Sequence, residues 1–398
     1  MISKRILFSL LVSVIIVGCT IEKQVDSGNE LALMRAKQTL DSLYLNYSIP
    51  GTHLLQENCL SSISGPVITD WISGRVPNMP RQYSYLWPYS GTFSAVNALF
   101  AATQDTTYKI ILDHQVLVGL EEYFDDERKP AGYASYVRNL RQSDRFYDDN
   151  IWLGINFVSA YLLTQENKYL QRALLIWDFI KSGTDNKLGG GTYWCEETKD
   201  SKNTCSNAPG VVLALKLFQA TQDSTYLTEG EERYKWTKTH LQDSADYLYF
   251  DNIKLDGEID KTKYAYNSGQ MMQAAALLYQ LTDKQEYLLE AQNIARGCYD
   301  YFFINHTMEH GKTFKLLKKG DVWFTAVMLR GFIELYRVDN NEIYLNSFNE
   351  SLDYAWKYAR DAKGLFNTDF SGKSQDSKRW LLTQAAMVEM YALLATIK

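Results

Sequence analysis

Thr103-Gln104-Asp105-Thr106-Thr107-Tyr108 recurs with small changes along the chain. It returns as Thr164-Gln165-Glu166-Asn167-Lys168-Tyr169, Thr221-Gln222-Asp223-Ser224-Thr225-Tyr226, Thr282-Asp283-Lys284-Gln285-Glu286-Tyr287 and Asp339-Asn340-Asn341-Glu342-Ile343-Tyr344. The closing tyrosines lie 61, 57, 61 and 57 residues apart. A fixed period of this length marks one supersecondary unit stacked on copies of itself. Between the junctions apolar residues recur at three and four, as in Tyr169, Ala173, Ile176 and Ile180, which is helical spacing. Each unit reads as two helices, so five junctions join six hairpins.

Helices are expected over roughly 30–47, 88–102, 107–124, 149–164, 168–181, 207–220, 225–242, 267–281, 285–303, 321–337, 342–360 and 378–396. No convincing alternating strand is read. Asp105 and Asp223 stand where a side-chain oxygen caps the free amides of the following helix. The junctions are tight turns at one end of every hairpin. The connections at the other end, leading into the even-numbered helices, are long and variable, and function is expected there. Six hairpins can stack as an open superhelix or close into a ring, and periodicity alone does not decide between them. In a ring the even helices run parallel inside, and every long connection meets at one rim.

Hydrophobic residues at 46 % and charged ones at 22 % are ordinary for a globular chain able to bury a large core. The net charge of −6 disfavours nucleic acid and acidic polymers as partners and leaves neutral ligands as the better fit. Aromatic residues reach 14 %, with 28 Tyr and 9 Trp, more than packing usually requires, and such rings can stack on sugar faces.

At the N-terminus Lys4 and Arg5 precede an apolar run, Ile6 to Val17, too short to span a bilayer. Residues 1–18 read as a signal peptide. Ile16-Val17-Gly18-Cys19 resembles a bacterial lipobox, which makes Cys19 the expected lipidation site and membrane attachment point. The expected organisation is a lipid-anchored linker over 19–29 and one domain over 30–398, placed on the bacterial cell envelope at the outer membrane, on its surface or periplasmic face. Six units of about sixty residues fill that mature length.

The rim connections hold Tyr85-Leu86-Trp87-Pro88, Tyr147-Asp148-Asp149-Asn150-Ile151-Trp152, Gly189-Gly190-Gly191-Thr192-Tyr193-Trp194, Lys202 to Pro209, and Tyr264 to Gly269, with Trp323 and Trp380 opening the last two inner helices. Asp148 and Asp149 carry the most chemistry. Neighbours in the first turn of a helix can flank one bound group, and glycosidic cleavage needs two carboxyls, one to protonate the leaving oxygen and one to attack carbon or activate water. Repulsion and burial would raise one pKa, while the helix N-terminus favours the charged form. Read without context, two such acids at a helix start are more often N-cap and first-turn residues with no chemistry, as Asp125-Asp126 would be.

The motifs YDDNIW, GGGTYW, KNTCSNAP and YNSG, in that order over residues 146–270, resemble glycoside hydrolase family 76, the bacterial endo-α-1,6-mannanases and their fungal wall-remodelling relatives. The likeness runs from about Tyr85 to the chain end. It implies an all-α (α/α)6 barrel of six helical hairpins with parallel inner helices, and a retaining endo-α-1,6-mannanase acting on α-mannan polysaccharide or oligosaccharide as a monomer without cofactor or metal. By the same resemblance Asp148 is the nucleophile and Asp149 the general acid/base. Tyr266, Asn267, Asn203 and Asn207 match motifs around the cleft, and Trp323 sits in a stretch that follows the family more loosely. Tyr85, Trp87, Asn150, Trp152 and Trp194 complete the expected sugar-binding set. A non-catalytic surface glycan-binding lipoprotein and a transglycosidase of the same family are the alternatives.

Two other motifs have bland readings. Gly189–Gly191 lack the strand before and the Lys-Ser/Thr after that would place a phosphate, so a turn carrying Trp194 to the cleft is expected. His306-Thr307-Met308-Glu309-His310 has the H-x-x-E-H spacing of zinc peptidases but lies in a polar connection between Asn305 and Gly311, and both histidines are expected to be structural surface residues. Cys195 and Cys205 could form a disulfide across a short loop or stay as free thiols.

Overall fold

The repeated junctions become one turn built five times. In each, the residue after the last helical position adopts a left-handed conformation: Gln104, Gln165, Gln222, Asp283 and Asn340, with φ between 54° and 60°. In the first four, the preceding threonine hydroxyl donates to the carbonyl four residues back, as Thr103 does to Leu99 at 2.7 Å. Thr103, Thr164 and Thr221 also accept the N–H two residues on. Asp339 takes over that acceptance in the fifth, from Asn341 at 3.0 Å. Asp105 and Asp223 cap the next helix by accepting from Thr107 and Thr225, each at 2.9 Å.

A computed structural model describes residues 27–60, 82–140 and 142–397. The N-terminal apolar run and Cys19 lie outside them. The inner helices are α2 (Leu86–Thr103), α5 (Tyr147–Thr164), α7 (Thr204–Thr221), α9 (Ala265–Thr282), α11 (Val322–Asp339) and α13 (Leu381–Leu394). The outer layer is α1 (Ser27–Tyr47), then α3 (Thr106–Ile111) and α4 (Leu117–Leu120) joined by a π-helical turn at Leu112–Val116, then α6 (Asn167–Ser182), α8 (Ser224–Leu241), α10 (Gln285–Phe302) and α12 (Ile343–Tyr358). Each inner helix packs on the next, and α13 packs on α2, so the ring closes. The first and last described helices meet, with Asn29 Nδ2 donating to the Ile397 carbonyl at 2.9 Å. The fold is the (α/α)6 barrel of the sequence reading.

The two layers differ because their residues do. Inner α9 is buried nearly all round, as an apolar helix in the middle of a protein must be, whereas outer α10 buries one stripe of Glu290, Ala291, Ile294, Ala295 and Cys298. Where α9 and α11 cross, their backbones nearly touch: a Cβ on Gly269 would overlap Met328 Cα.

The expectation that strands are absent is corrected. Short antiparallel pairs edge the rim connections: Asn58–Leu60 (β1) with Lys378–Trp380 (β9), Phe124–Asp125 (β2) with Gly132–Tyr133 (β3), Ser201–Asn203 (β4) with Phe250–Lys254 (β5) and Ile259–Lys263 (β6), and Phe303–Thr307 (β7) with Thr313–Leu317 (β8). They are two to five residues long and mostly lie at the surface, so no sustained alternation marks them.

The rim is tied to the barrel by one repeated device. Four residues after the N-cap of α5, Asn150 accepts from Tyr133 N–H at 2.7 Å and donates to the carbonyls of Tyr133 and Phe146, each at 2.9 Å. Asn207, in the same place on α7, accepts from Thr192 N–H at 2.7 Å and donates to the carbonyls of Thr192 and Asn203. Gln384 on α13 does the same with Phe366 and Trp380. On α9 the hydroxyl of Ser268 accepts from Tyr249 N–H at 3.0 Å. Each amide imitates a strand neighbour, satisfying a buried peptide that no helix or sheet reaches. Replacing Asn207 by Ala should lower unfolding free energy by roughly 2–5 kcal/mol, because a buried N–H and two carbonyls lose their partner. Denaturant unfolding measures it, and a loss no larger than that of a surface Asn→Ala change would contradict the role.

Candidate active site

The two carboxyls of α5 meet at the rim because the chain on both sides of them is pinned. Arg145, fully buried, holds Glu196 with two bonds of 2.6 and 2.7 Å, and the Arg145 carbonyl accepts from Glu196 N–H. Two residues on, Tyr147 N–H donates to the Trp194 carbonyl at 2.9 Å. This short antiparallel contact lays Trp194 across the first turn of α5, as the turn reading of the glycines anticipated. The glycine loop is gathered by the buried Lys202 ammonium, which donates to Asp185 at 2.9 Å and to the carbonyls of Lys187 and Gly190. That ammonium and the Tyr193 hydroxyl help hold the Asp185 carboxyl down to about 2 against the opposing effect of burial. Gly191, at φ +77°, lies flat on Trp236, where a Cβ would come within 2.6 Å of the ring.

Asp148 and Asp149 are both half-buried, and their surroundings differ. Asp148 Oδ1 accepts the Asp149 N–H at 2.9 Å and Oδ2 accepts the Trp194 indole N–H at 3.0 Å, while the buried Cys205 thiol of α7 also bonds to it. Burial pushes its pKa up to about 6, against the pull of these donors. Asp149 has no such donors among the described residues. Burial first, and then the charge of Asp148, hold it well above the usual carboxylate range. The turn therefore sets two unequal carboxyls side by side, one favoured as a carboxylate by its donors and one that burial and its neighbour's charge incline to keep its proton, a nucleophile or base next to a proton donor.

Around them stand aromatic rings. Tyr266 lies flat on Phe324 at 3.9 Å between centroids, and Trp87 meets Trp323 and Trp380 edge-on at 5.6 and 5.3 Å. Of the expected sugar contacts, Tyr85, Trp87, Trp194 and Tyr266 are half-buried and open to the rim. The others are corrected. Asn150 and Asn207 are fully buried and spend their amides on the loop clamps, and Asn203, 7 % exposed, accepts from Ser201. Asn267, 1 % exposed, turns toward Asp251. Trp152 and Trp323, at 3 % and 1 %, form a floor below the surface, edge to face at 4.7 Å, with the Arg330–Glu389 ion pair beneath them.

Three rim groups escaped the sequence reading. Asp321 caps α11 by accepting from Trp323 and Phe324 N–H, and burial pushes its pKa up to about 6. Asp251 on β5 is likewise raised by burial. Cys205 links Asp148 to the Tyr266 hydroxyl. The capping position of Asp321 before Val322-Trp323 was a usable signal; the other two depend on contacts between distant segments. All four cysteines among the described residues are free thiols, which closes the disulfide alternative. His306 lies in β7, packed between Phe314 and Tyr354, rather than at the surface; His310 is exposed in the adjoining turn. Among the described residues no three His, Cys, Asp or Glu side chains cluster as a metal site would require.

Residues 68–311 match the model of glycosyl hydrolase family 76. This chain belongs to that family. Similar solved structures include a family 76 glycoside hydrolase from a bovine Bacteroides thetaiotaomicron strain, with TM-score 0.82 and 32 % identity over 92 % of this chain and 77 % of that one. A family 76 mannosidase of Bacteroides thetaiotaomicron has TM-score 0.82 and 31 % identity, over 92 % and 98 % of the two chains. An α-1,6-mannanase of Salegentibacter shares the fold at TM-score 0.73 and 23 % identity, over 92 % and 100 %. Among curated proteins, the mannan endo-1,6-alpha-mannosidase DFG5 of Saccharomyces cerevisiae is 31 % identical over 57 % of this chain and 51 % of its own length. The chain spans about half the length of the curated relatives it matches.

The raised carboxyls make a stability prediction. The folded chain binds these protons more tightly than the unfolded one, so stability present at low pH is lost as pH rises from the ordinary value of 3.8 through the folded values, about 6 for Asp148 and well above the ordinary value for Asp149. Asp149→Asn removes its share of that loss. Its melting temperature should exceed the parent's at about pH 8 and approach it near pH 4. Thermal unfolding across pH checks this; a gain that is largest in acid would refute the assigned protonation.

Proposed function

We propose that this family 76 chain is a retaining endo-α-1,6-mannanase that hydrolyses α-mannan backbones, displayed on a bacterial envelope through Cys19. The observation that carries the chemistry is the unequal environment of Asp148 and Asp149. Asp148, supplied with donors, is the nucleophile: it attacks the anomeric carbon and forms a covalent glycosyl-enzyme as the glycosidic bond breaks. Asp149, supplied with none and holding its proton, gives that proton to the departing oxygen. It then takes a proton from the water that releases the sugar.

The substrate assignment is supported by the names of the relatives, several of which are mannan endo-1,6-alpha-mannosidases. The Salegentibacter enzyme, inactivated by changing two consecutive aspartates to asparagine, was solved with α-1,6-mannotriose. A neutral mannan also suits a chain of net charge −6.

On linear α-1,6-mannan, Asp148→Asn and Asp149→Asn should each cut turnover by at least about a thousandfold with the fold retained. An activated leaving group, which needs no proton, should rescue the first step in Asp149→Asn alone, and azide should then restore turnover. Proton NMR in the first minutes should show the α-anomer; the β-anomer would mean inversion and remove Asp148 as nucleophile. Turnover over substrate affinity should fall below about pH 6 as Asp148 takes a proton, and fall again in alkali as Asp149 loses one. For the anchor, Cys19→Ala should abolish incorporation of labelled fatty acid in cells, and unchanged labelling would contradict it.

A further inference from the structure

Two aspartates adjacent in one helical turn have no intrinsic reason to play different roles, so the difference must be imposed by a neighbour. Trp194 is a side chain placed to do so, beside the Asp149 N–H and the Cys205 thiol that also meet Asp148. Its indole N–H reaches Asp148 Oδ2 at 3.0 Å, and no hydrogen-bond partner is found for the Asp149 carboxyl among the described residues. An indole N–H donates and cannot accept, so it stabilises an ionised carboxylate more than the protonated acid and favours ionisation of the carboxyl it meets.

The indole is also fixed in place. Its ring packs on Phe146 at 4.8 Å, the Trp194 backbone carbonyl accepts from Tyr147 N–H, and the Trp194 backbone N–H donates to the Ser201 carbonyl at 3.3 Å. Next to it Cys195 bridges Phe146, and Glu196 is clamped by Arg145. Such bracing is more than a ring stacked on sugar would need. It is what holding one oxygen of Asp148 at a set angle requires.

We propose that Trp194 is a positioning residue whose indole N–H selects Asp148 over Asp149 as the nucleophile and orients its attacking carboxylate, which rests on the reading of Asp148 as nucleophile given above. The sequence reading expects Trp194 to bind substrate at the cleft, and the proposal adds this role of its N–H to that expectation.

The test is Trp194→Phe, which keeps an aromatic ring and removes the donor. On a mannoside with an activated leaving group, turnover should fall at least about tenfold with little change in KM, and the acidic limb of the pH profile should move up by about half a unit or more, as loss of a charge-assisted hydrogen bond requires. Trp194→His, which returns a ring N–H, should recover part of both. A raised KM with turnover and acidic limb unchanged would mean sugar stacking and overturn the proposal. Asp148→Asn, run alongside, separates the two claims. If it stays active the nucleophile reading itself fails; if it is inactive while Trp194→Phe matches the parent, only this inference fails. Should Trp194→Phe not fold, nitrogen–proton NMR of the unaltered chain decides. One indole N–H resonance should titrate with the acidic limb and shift in Asp148→Asn, and the absence of any such resonance would overturn the proposal.

Discussion

The site depends on buried side-chain amides that hold irregular chain against regular helix. Closing six hairpins into a ring brings six inner helix N-termini to one rim, but the connections arriving there have few neighbours to satisfy their peptides. Asn150, Asn207 and Gln384, each four residues past an N-cap, supply the missing partners. A buried peptide left without them would cost more than most single contacts return. Because Asn150 is anchored next to Asp149 and Asn207 two residues after Cys205, the same clamps that stabilise the loops set the depth of the carboxyls and of the thiol that meets them.

Depth is what separates the two aspartates. Partial burial raises both pKa values, and donors offset the rise at Asp148 alone. The floor sustains that depth: Trp152 and Trp323 seal the cleft from below, and the Arg330–Glu389 pair, joined through bonds of 2.6 and 2.9 Å, lets the barrel axis be polar without leaving a charge unpaired. The arrangement is costly to the fold, since two neighbouring carboxyls are kept partly out of water, and it is the kind of local cost that functional sites carry.

The architecture was legible because the junction chemistry repeats: the left-handed position after each of the first five inner helices is Gln, Asp or Asn, and it falls on the same period as the tyrosines. The adjacent aspartates and Trp194 were legible because ring closure sends the even helix starts to one place. The amides were misread. An Asn at a helix start looks like a cleft residue, yet its spacing from the N-cap, shared by Asn150, Asn207 and Gln384, was the sign of a clamp. Trp152 and Trp323 were misread because their rings turn into the barrel, which composition does not reveal. The strands left one sign, Asp256-Gly257 between Phe250–Lys254 and Ile259–Lys263, a pair suited to a tight hairpin turn. Cys205 left none, since its meeting with Asp148 depends on how α5 and α7 pack.

The central claim is that Asp148 forms the covalent bond while Asp149 handles the proton. Asp149→Asn with an activated α-mannoside should accumulate the glycosyl-enzyme, because its first step needs no acid and its second lacks the base. Rapid acid quench, proteolysis and peptide mass spectrometry then locate the sugar. The account predicts one added glycosyl unit on Asp148. A sugar found on any other residue, or no adduct while the variant still releases the leaving group in a burst, would contradict it.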